Sequence, residues 1–160
     1  ALANLRRNGI AVYGTFVFGY DNDVASSFDA AVDLAISENM YIAAFNHMTP
    51  FPGTPLYRRL HEEGRLRYEA WWLDPVYRYN EVPFRPQKLK PEEITEGCLT
   101  ARRRFYGWPS ILKRALGNRS DFFMLRNYLP INLMHRQDVS RRNGYPLGDE
   151  TWSGRIAEST

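Results

Sequence analysis

Apolar residues recur along this chain with two periods, and the switches between them mark its elements. Ile10 to Phe18 is a nearly continuous apolar run, with Val12, Phe16, Val17 and Phe18. Lack of alternation predicts a strand buried on both faces, as in parallel sheets. Before it, Leu2 and Leu5 at helical spacing, Arg6 and Arg7 in a last turn and Gly9 as a stop predict a helix end. After a loop at Gly19 to Asp23, with Asp23 as the expected N-cap, the period becomes helical. Phe28, Val32, Ala35 and Ile36 share one face, Asp29, Asp33 and Glu38 lie off it, and Asn39 closes the helix. Tyr41 to Thr49 predicts a second strand, and strand, helix and strand together fit a right-handed βαβ crossover.

Pro50 to Gly53 predicts a tight, rigid loop. Thr54 is a good N-cap and Pro55 sits at the preferred first helical position, starting a helix that runs to about Glu63 and stops at Gly64. Leu56, Tyr57 and Leu60 form its stripe. The pattern breaks at Arg65. Residues 65–90, rich in Trp, Tyr, Arg and Pro, predict an irregular wrap with a short strand near Tyr79–Phe84. A helix restarts at Pro91, with Glu92 and Glu93 in its first turn and Lys90 as a poor cap. Ile94, Cys98, Ala101 and Phe105 make its core face. A further helix is expected over Asp121–Arg142, kinked near Pro130, and a polar, frayed tail from Gly144 onward. The expected organisation is residues 1–64, 65–90, 91–143 and 144–160. Two parallel strands are not a complete fold, and a strand buried on both faces needs neighbours. The remaining strands are therefore expected upstream in a longer protein, as is the rest of the helix within which the chain starts.

Composition adds exclusions. The chain has 160 residues and 44% hydrophobic content, enough for one core. Its longest apolar stretch, Phe122 to Met134, is broken by Arg126, Asn127, Pro130 and Asn132, too soon to span a bilayer. With no signal segment either, a cytoplasmic location is the expectation. One cysteine, Cys98, makes no internal disulfide and holds no zinc or iron–sulfur cluster, and His47, His61 and His135 are scattered. No metal ligands or catalytic residues are assigned. The net charge of +3 is uneven: residues 1–64 carry four Arg against seven acids, and residues 65–160 carry seventeen Lys and Arg against eleven. Arg102, Arg103, Arg104, Lys113, Arg114 and Arg119, interleaved with Phe105, Tyr106 and Trp108, read as a nucleic-acid surface or as a solvated or packing face. Three consecutive arginines spread over about 200° of helix, which disfavours nucleic acid. Phe122–Met134 reads as a contact for a membrane surface or apolar substrate, or as packing.

Sites in parallel α/β architectures gather at the carboxyl ends of strands. Two such ends exist here, Gly19 to Asp23 and Thr49 to Pro55. In the second, two prolines fix the backbone, Gly53 permits close approach, and a helix N-terminus offers N–H groups to an anion or polar edge. The same features also make a plain structural turn.

The segment Gly14-Thr15-Phe16-Val17-Phe18-Gly19-Tyr20-Asp21, followed by Thr-Pro-Phe-Pro-Gly-Thr-Pro-Leu-Tyr at 49–57, resembles the late barrel strands of radical S-adenosylmethionine enzymes, more narrowly the cobalamin-binding-domain subgroup. Glu62 to Leu66, Val82 to Pro86, Pro91 to Ile94 and Tyr145 to Gly148 resemble that subgroup's C-terminal region. The resemblance implies an α/β chain holding about the last two strands of a (β/α)6 barrel, followed by a mainly helical extension. It implies S-adenosylmethionine and a 4Fe-4S cluster in the parent, the cluster held by a CxxxCxxC motif that this chain lacks, with cobalamin as a further cofactor. The partners it implies are the upstream strands, a cobalamin domain and an unidentified, apolar substrate.

By position, the resemblance implies that Gly19 approaches the adenosyl moiety and that the loop Thr49, Pro50, Phe51, Pro52, Gly53 and Thr54 lies near the nucleoside and substrate cavity. Asp21 and Asp23 are candidate polar contacts, although the loop lacks the Glu of some relatives and Asp23 equally serves as a cap. Asn46 is the substrate candidate, or a group satisfying the backbone at a strand end. His47 points opposite to it by strand alternation. Tyr68, Trp71, Trp72, Tyr77 and Tyr79 cap the barrel mouth or form a satellite core. The expected reaction of the parent is methylation, cyclisation or rearrangement, of oxidoreductase or methyltransferase type, with the chain inactive alone. The alternative is a non-catalytic module that docks a partner, nucleic acid or membrane surface through its basic, aromatic half.

Overall fold

Two strands set the frame. β1 (Tyr13–Phe18) and β2 (Ile42–His47) pair in parallel, in register from Tyr13 opposite Ile42 to Phe18 opposite His47, and α2 (Ala25–Ser37) connects them. A computed structural model describes residues 2–117, 122–141 and 144. Around the sheet lie α1 (Leu2–Arg7), α3 (Pro55–Glu62), α4 (Pro91–Phe105), α5 (Trp108–Gly117) and α6 (Phe122–Arg141). Among the described residues the architecture is α/β, a two-stranded parallel sheet with six helices.

One face of the sheet carries the core. Phe18, Ala43 and Phe45 meet Phe28, Val32 and Ala35 of α2 and Ile94, Cys98, Ala101 and Phe105 of α4, the stripe that the helical period marks. Phe18 stacks on Phe28 with centroids 4.3 Å apart, and Phe45 tilts against Phe105 at 5.6 Å. Burying each such ring contributes roughly 1.5–3 kcal/mol. Gly97 explains how α4 comes so close to α2: a Cβ there would lie 2.6 Å from the Phe28 ring.

The other face is open, against the expectation of burial on both. Tyr13 is 63% and Val17 40% exposed, and Thr15 and Asn46 are exposed with them. A strand's second face is buried only when another layer covers it; α2 and α4 stack on the first, and on the second Ile42 packs against Ile111 and Tyr128 of α5 and α6. β1 is also shorter than its apolar run; Ile10 lies outside it, half exposed.

The two edges of the sheet differ as well. The Tyr106 hydroxyl, just past α4, donates to the Ala43 carbonyl at 2.9 Å and accepts from the Ala43 N–H at 3.3 Å. Arg102 Nε donates to the Phe45 carbonyl at 2.9 Å. These bonds close the outer edge of β2. Among the described residues β1 pairs with β2 alone.

Several local expectations change. Asp23 does not cap α2; its carboxylate accepts from the Gly19 and Tyr20 N–H groups, at 2.8 and 3.0 Å, and the cap position falls to Val24. The Ser27 hydroxyl then accepts from the Val24 N–H. The strand expected near Tyr79–Phe84 reduces to one antiparallel bridge, Leu66 with Phe84, because Asn80 turns the chain at φ 75° and Pro83 has no N–H to give a ladder. The wrap is nevertheless anchored, with Val82 and Phe84 fully buried. α5 was not predicted, since Gly107 and Pro109 flank a stretch that reads as a basic patch; Ser110, Ile111 and Arg114 form its buried face. α6 lies within the predicted helix, with Pro130 inside it. Apart from Gly144, the predicted polar tail lies outside the described residues, as does Arg119.

Arg114 is a core residue rather than a surface cation. Its side chain is fully buried and donates to Met40 O, Phe105 O, Ser110 Oγ and Asn132 Oδ1 at 2.8–3.1 Å, with its guanidinium 3.7 Å from the Phe105 ring centroid. It ties α5 and α6 to α4 and to the start of β2.

Candidate functional site

Both loops that follow the strands leave the same end of the sheet. The Met48 N–H donates to the Phe18 carbonyl at 2.7 Å, so the chain departs from β2 beside its departure from β1. In the second loop, Thr54 caps α3: its hydroxyl accepts from the Tyr57 N–H at 3.2 Å and donates to the Phe51 carbonyl at 2.6 Å. Trp71 of the wrap donates its indole N–H to the Pro50 carbonyl at 2.8 Å and meets Phe51 edge-on. Gly53 adopts φ 80°, a conformation that suits glycine, and a Cβ there would meet nothing. Among the described residues its positive φ serves the turn, and the space beside it is open.

The acids of the first loop are engaged within the protein. Asp21 pairs with Arg65 at 2.8 Å and Arg59 at 3.7 Å, and Asp23 holds its own loop. What these loops offer a ligand is backbone and apolar surface: Tyr20 and Phe51 are 56% and 57% exposed. The residues present do not fit an iron–sulfur cluster. Cys98 is buried in the core, where burial pushes its thiol up to about 12, and among the described residues no group of three His, Cys, Asp or Glu stands together to hold a metal.

A cavity of about 660 Å³ opens beside the second loop, lined by Asn46, His47, Phe51, Trp71, Tyr79 and Arg102 among others. A second recess of about 280 Å³ lies along the open face of the sheet and shares Asn46, Tyr79, Asn80 and Arg102 with it. Asn46 thus sits on the wall common to both, its Oδ1 accepting from Arg102 at 3.0 Å. His47, which alternation sets opposite Asn46, lines the larger cavity too, because it ends the strand. Its Nδ1 lies 3.2 Å from the Met48 carbonyl. A carbonyl only accepts, so Nδ1 carries the hydrogen and Nε2 keeps a lone pair. Burial and the nearby Arg102 charge pull the His47 pKa down, against the bond to Met48, leaving the ring neutral near pH 7.

Sequence reasoning did not single out Arg102. It grouped three consecutive arginines within one basic stretch while noting their spread around the helix, and the structure separates them. Arg103 reaches Glu96, Arg104 reaches Asp29 and Asp33, and Arg102 turns to the sheet. The available signal was helical phase: Arg102 lies four residues after Cys98 and three before Phe105, at the margin of the core stripe. The aromatic residues of the wrap form a connected set, Trp71 touching Phe51, Trp72 and Tyr77, and so border the cavity while packing on one another. No helix among the described residues is long and apolar enough to cross a membrane.

Fold and geometry together define a parallel α/β unit with a cavity at its strand ends. Comparison with known proteins narrows this. The chain is similar to the bacteriochlorophyllide d C-12(1)-methyltransferase of Chlorobaculum tepidum, 32% identical over 128 residues, which are 80% of this chain and 27% of that protein. It is also similar to the bacteriochlorophyllide d C-8(2)-methyltransferase of the same organism, 25% identical over 117 residues, 73% of this chain and 25% of that protein. The chain therefore spans about a quarter of the length of these curated relatives. No family model and no solved structure matches it.

Proposed function

We propose that this chain is the C-terminal part of the barrel, with its helical extension, of a radical S-adenosylmethionine methyltransferase acting on a chlorin-type tetrapyrrole. The observation that carries the reading is similarity across four-fifths of the chain to a methyltransferase that acts on bacteriochlorophyllide d. It favours methylation over cyclisation, rearrangement or an oxidoreductase reaction. The sheet supports the placement: one edge is closed by side chains and the other is unpaired among the described residues, as the last strands of a barrel sheet would be.

S-adenosylmethionine and a 4Fe-4S cluster supply radical chemistry in such enzymes, and cobalamin carries the methyl group. The cluster ligands belong outside this chain. Within it, the Gly19 to Asp23 and Thr49 to Thr54 loops form one wall of the nucleoside site through backbone and apolar surface, with Asp21 and Asp23 shaping the first loop and Thr54 the second. Asn46 and the strand-end cavity face the substrate. Upstream strands pair with β1.

The test is the full-length protein containing these residues, reconstituted with iron and sulfide and supplied with reductant, cobalamin, methyl-labelled S-adenosylmethionine and bacteriochlorophyllide d. The expected product is a chlorin that has gained labelled methyl. A protein that forms no 4Fe-4S cluster overturns the class. One that forms the cluster and cleaves S-adenosylmethionine but leaves the chlorin unlabelled overturns the substrate. The 160-residue chain alone is expected to give no stoichiometric cluster spectrum.

A further inference from the structure

Among the described residues lining the larger cavity, Arg102 carries the one formal charge, and no carboxylate accompanies it. The guanidinium is held rather than loose. Nε donates to Phe45 O at 2.9 Å, one terminal nitrogen to Asn80 Oδ1 at 2.7 Å and the other to Asn46 Oδ1 at 3.0 Å. All three acceptors are neutral. The next two arginines of the same helix each find an acid, so the difference lies in where α4 points Arg102, not in a shortage of carboxylates. Five N–H groups fan from a guanidinium, and three bonds leave two of them for a ligand. A cation in a partly enclosed site, oriented by neutral groups and with no carboxylate among the described residues lining the larger cavity, is arranged to receive an anion.

The rest of the cavity specifies what the anion is attached to. Phe51, Trp71 and Tyr79 line it with Met48, and the buried Tyr77 packs on Trp71, giving flat, polarisable walls. Trp71 is fixed by its bond to Pro50 and its edge contacts with Phe51 and Trp72, so the wall is built before a ligand arrives. Such walls suit an extended aromatic ring system. A single guanidinium with two donors left matches one carboxylate more closely than a polyphosphate.

We infer that Arg102 binds a carboxylate of a planar aromatic substrate whose rings lie against Phe51, Trp71 and Tyr79. This rests on the function proposed above, under which the carboxylate is the free propionate that distinguishes a chlorophyllide from its esters. Arg102 is then a substrate-binding and specificity residue: it favours the free acid over the esterified pigment. The carboxylate of S-adenosylmethionine is the other source of the same chemistry, and the experiment separates the two.

The full-length protein is titrated with pheophorbide a and with its methyl ester, each followed by chlorin fluorescence anisotropy. The acid is expected to bind about 10- to 100-fold more tightly than the ester, the range of a charge-assisted hydrogen-bonded contact. R102Q is expected to bring the acid down to the ester's affinity while leaving the ester unchanged, and R103Q to alter neither. Equal affinity of the unmutated protein for acid and ester overturns the role of Arg102 while leaving the chlorin reading intact, and does so whether or not R102Q folds. Absence of binding by either pigment overturns the chlorin reading and this inference with it. Competitive displacement of the acid by S-adenosylmethionine assigns the carboxylate to the cofactor and also overturns the inference.

Discussion

The two edges of this small sheet are treated in opposite ways. β2 is an edge strand whose backbone is satisfied by side chains: Tyr106 binds both the N–H and the C=O of Ala43, and Arg102 takes the Phe45 carbonyl. β1 carries a row of backbone groups with no partner among the described residues, and a face on which Tyr13, Thr15 and Val17 are exposed. Unpaired edges invite another strand, and proteins blunt the ones they mean to end. Here the blunting is specific to β2. Among the described residues the sheet is blunted at β2 and open at β1. Closure on the β2 side also brings Arg102 and Asn46 together, so the termination of the sheet and the anion-ready wall of the cavity share a residue.

Arg114 holds the closed side, and the largest effect is expected there. R114M conserves much of the volume but strips Met40 O, Phe105 O and Asn132 Oδ1 of their buried donor. Leaving such a buried network half-satisfied is expected to cost about 3–5 kcal/mol in a urea melt. A cost below about 1 kcal/mol would mean that α5 and α6 hold β2 by apolar contact alone. Y106F is expected to cost less, about 1–3 kcal/mol, because the ring keeps its contacts with Phe105 and His135 while Ala43 loses its cap. If Y106F were neutral, the edge of β2 would not depend on this hydroxyl.

These residues show where sequence reading stops. The periods of Phe28, Val32 and Ala35 and of Ile94, Cys98, Ala101 and Phe105 were legible because burial on one helix face is a local rule. Thr54 and Pro55 were legible as a helix start because a cap is written within three residues. Arg102, Tyr106 and Arg114 were not. Their partners lie 57, 63 and 74 positions away in the chain, and nothing local separates an arginine that reaches a strand carbonyl from one that meets solvent. The apolar run at residues 10–18 misled in the opposite sense. It marks a strand suited to two covered faces, and the described residues cover one. At the site, the loops follow from topology, and the cavity's charge from contacts distant in the chain.

His47 sharpens the comparison by its titration. It ends the closed strand, facing the Arg102 charge, and its pKa is pulled below the ordinary 6.5, chiefly by burial. The unfolded chain binds this proton more readily, so stability rises with pH between the lowered folded value and 6.5. The His47 contribution is complete above 6.5 and is lost as pH falls through that window. H47Q is expected to flatten this part of the stability profile, read from urea midpoints across the acid range. An unchanged slope in H47Q would place the titration elsewhere.

The smallest effect is expected on the open side, and it is the most direct test of the asymmetry. Thr15 points away from the core, so T15K in the 160-residue chain is expected to shift stability by no more than about 0.5 kcal/mol. In the full-length protein proposed above, upstream strands curl this face toward a barrel interior, and the same lysine there would be buried without a partner. Its cost is then expected to reach several kcal/mol. Hydrogen exchange reads the edge itself. The Ala43 amide, held by Tyr106, is expected to exchange slowly in both forms. The β1 amides that point away from β2 are expected to exchange fast in the 160-residue chain and slowly in the longer protein. Slow exchange at these amides in the 160-residue chain, or a large penalty for T15K there, would mean that the open side is already covered. The contrast between the two edges would then fail at its weaker half while the closure of β2 stands.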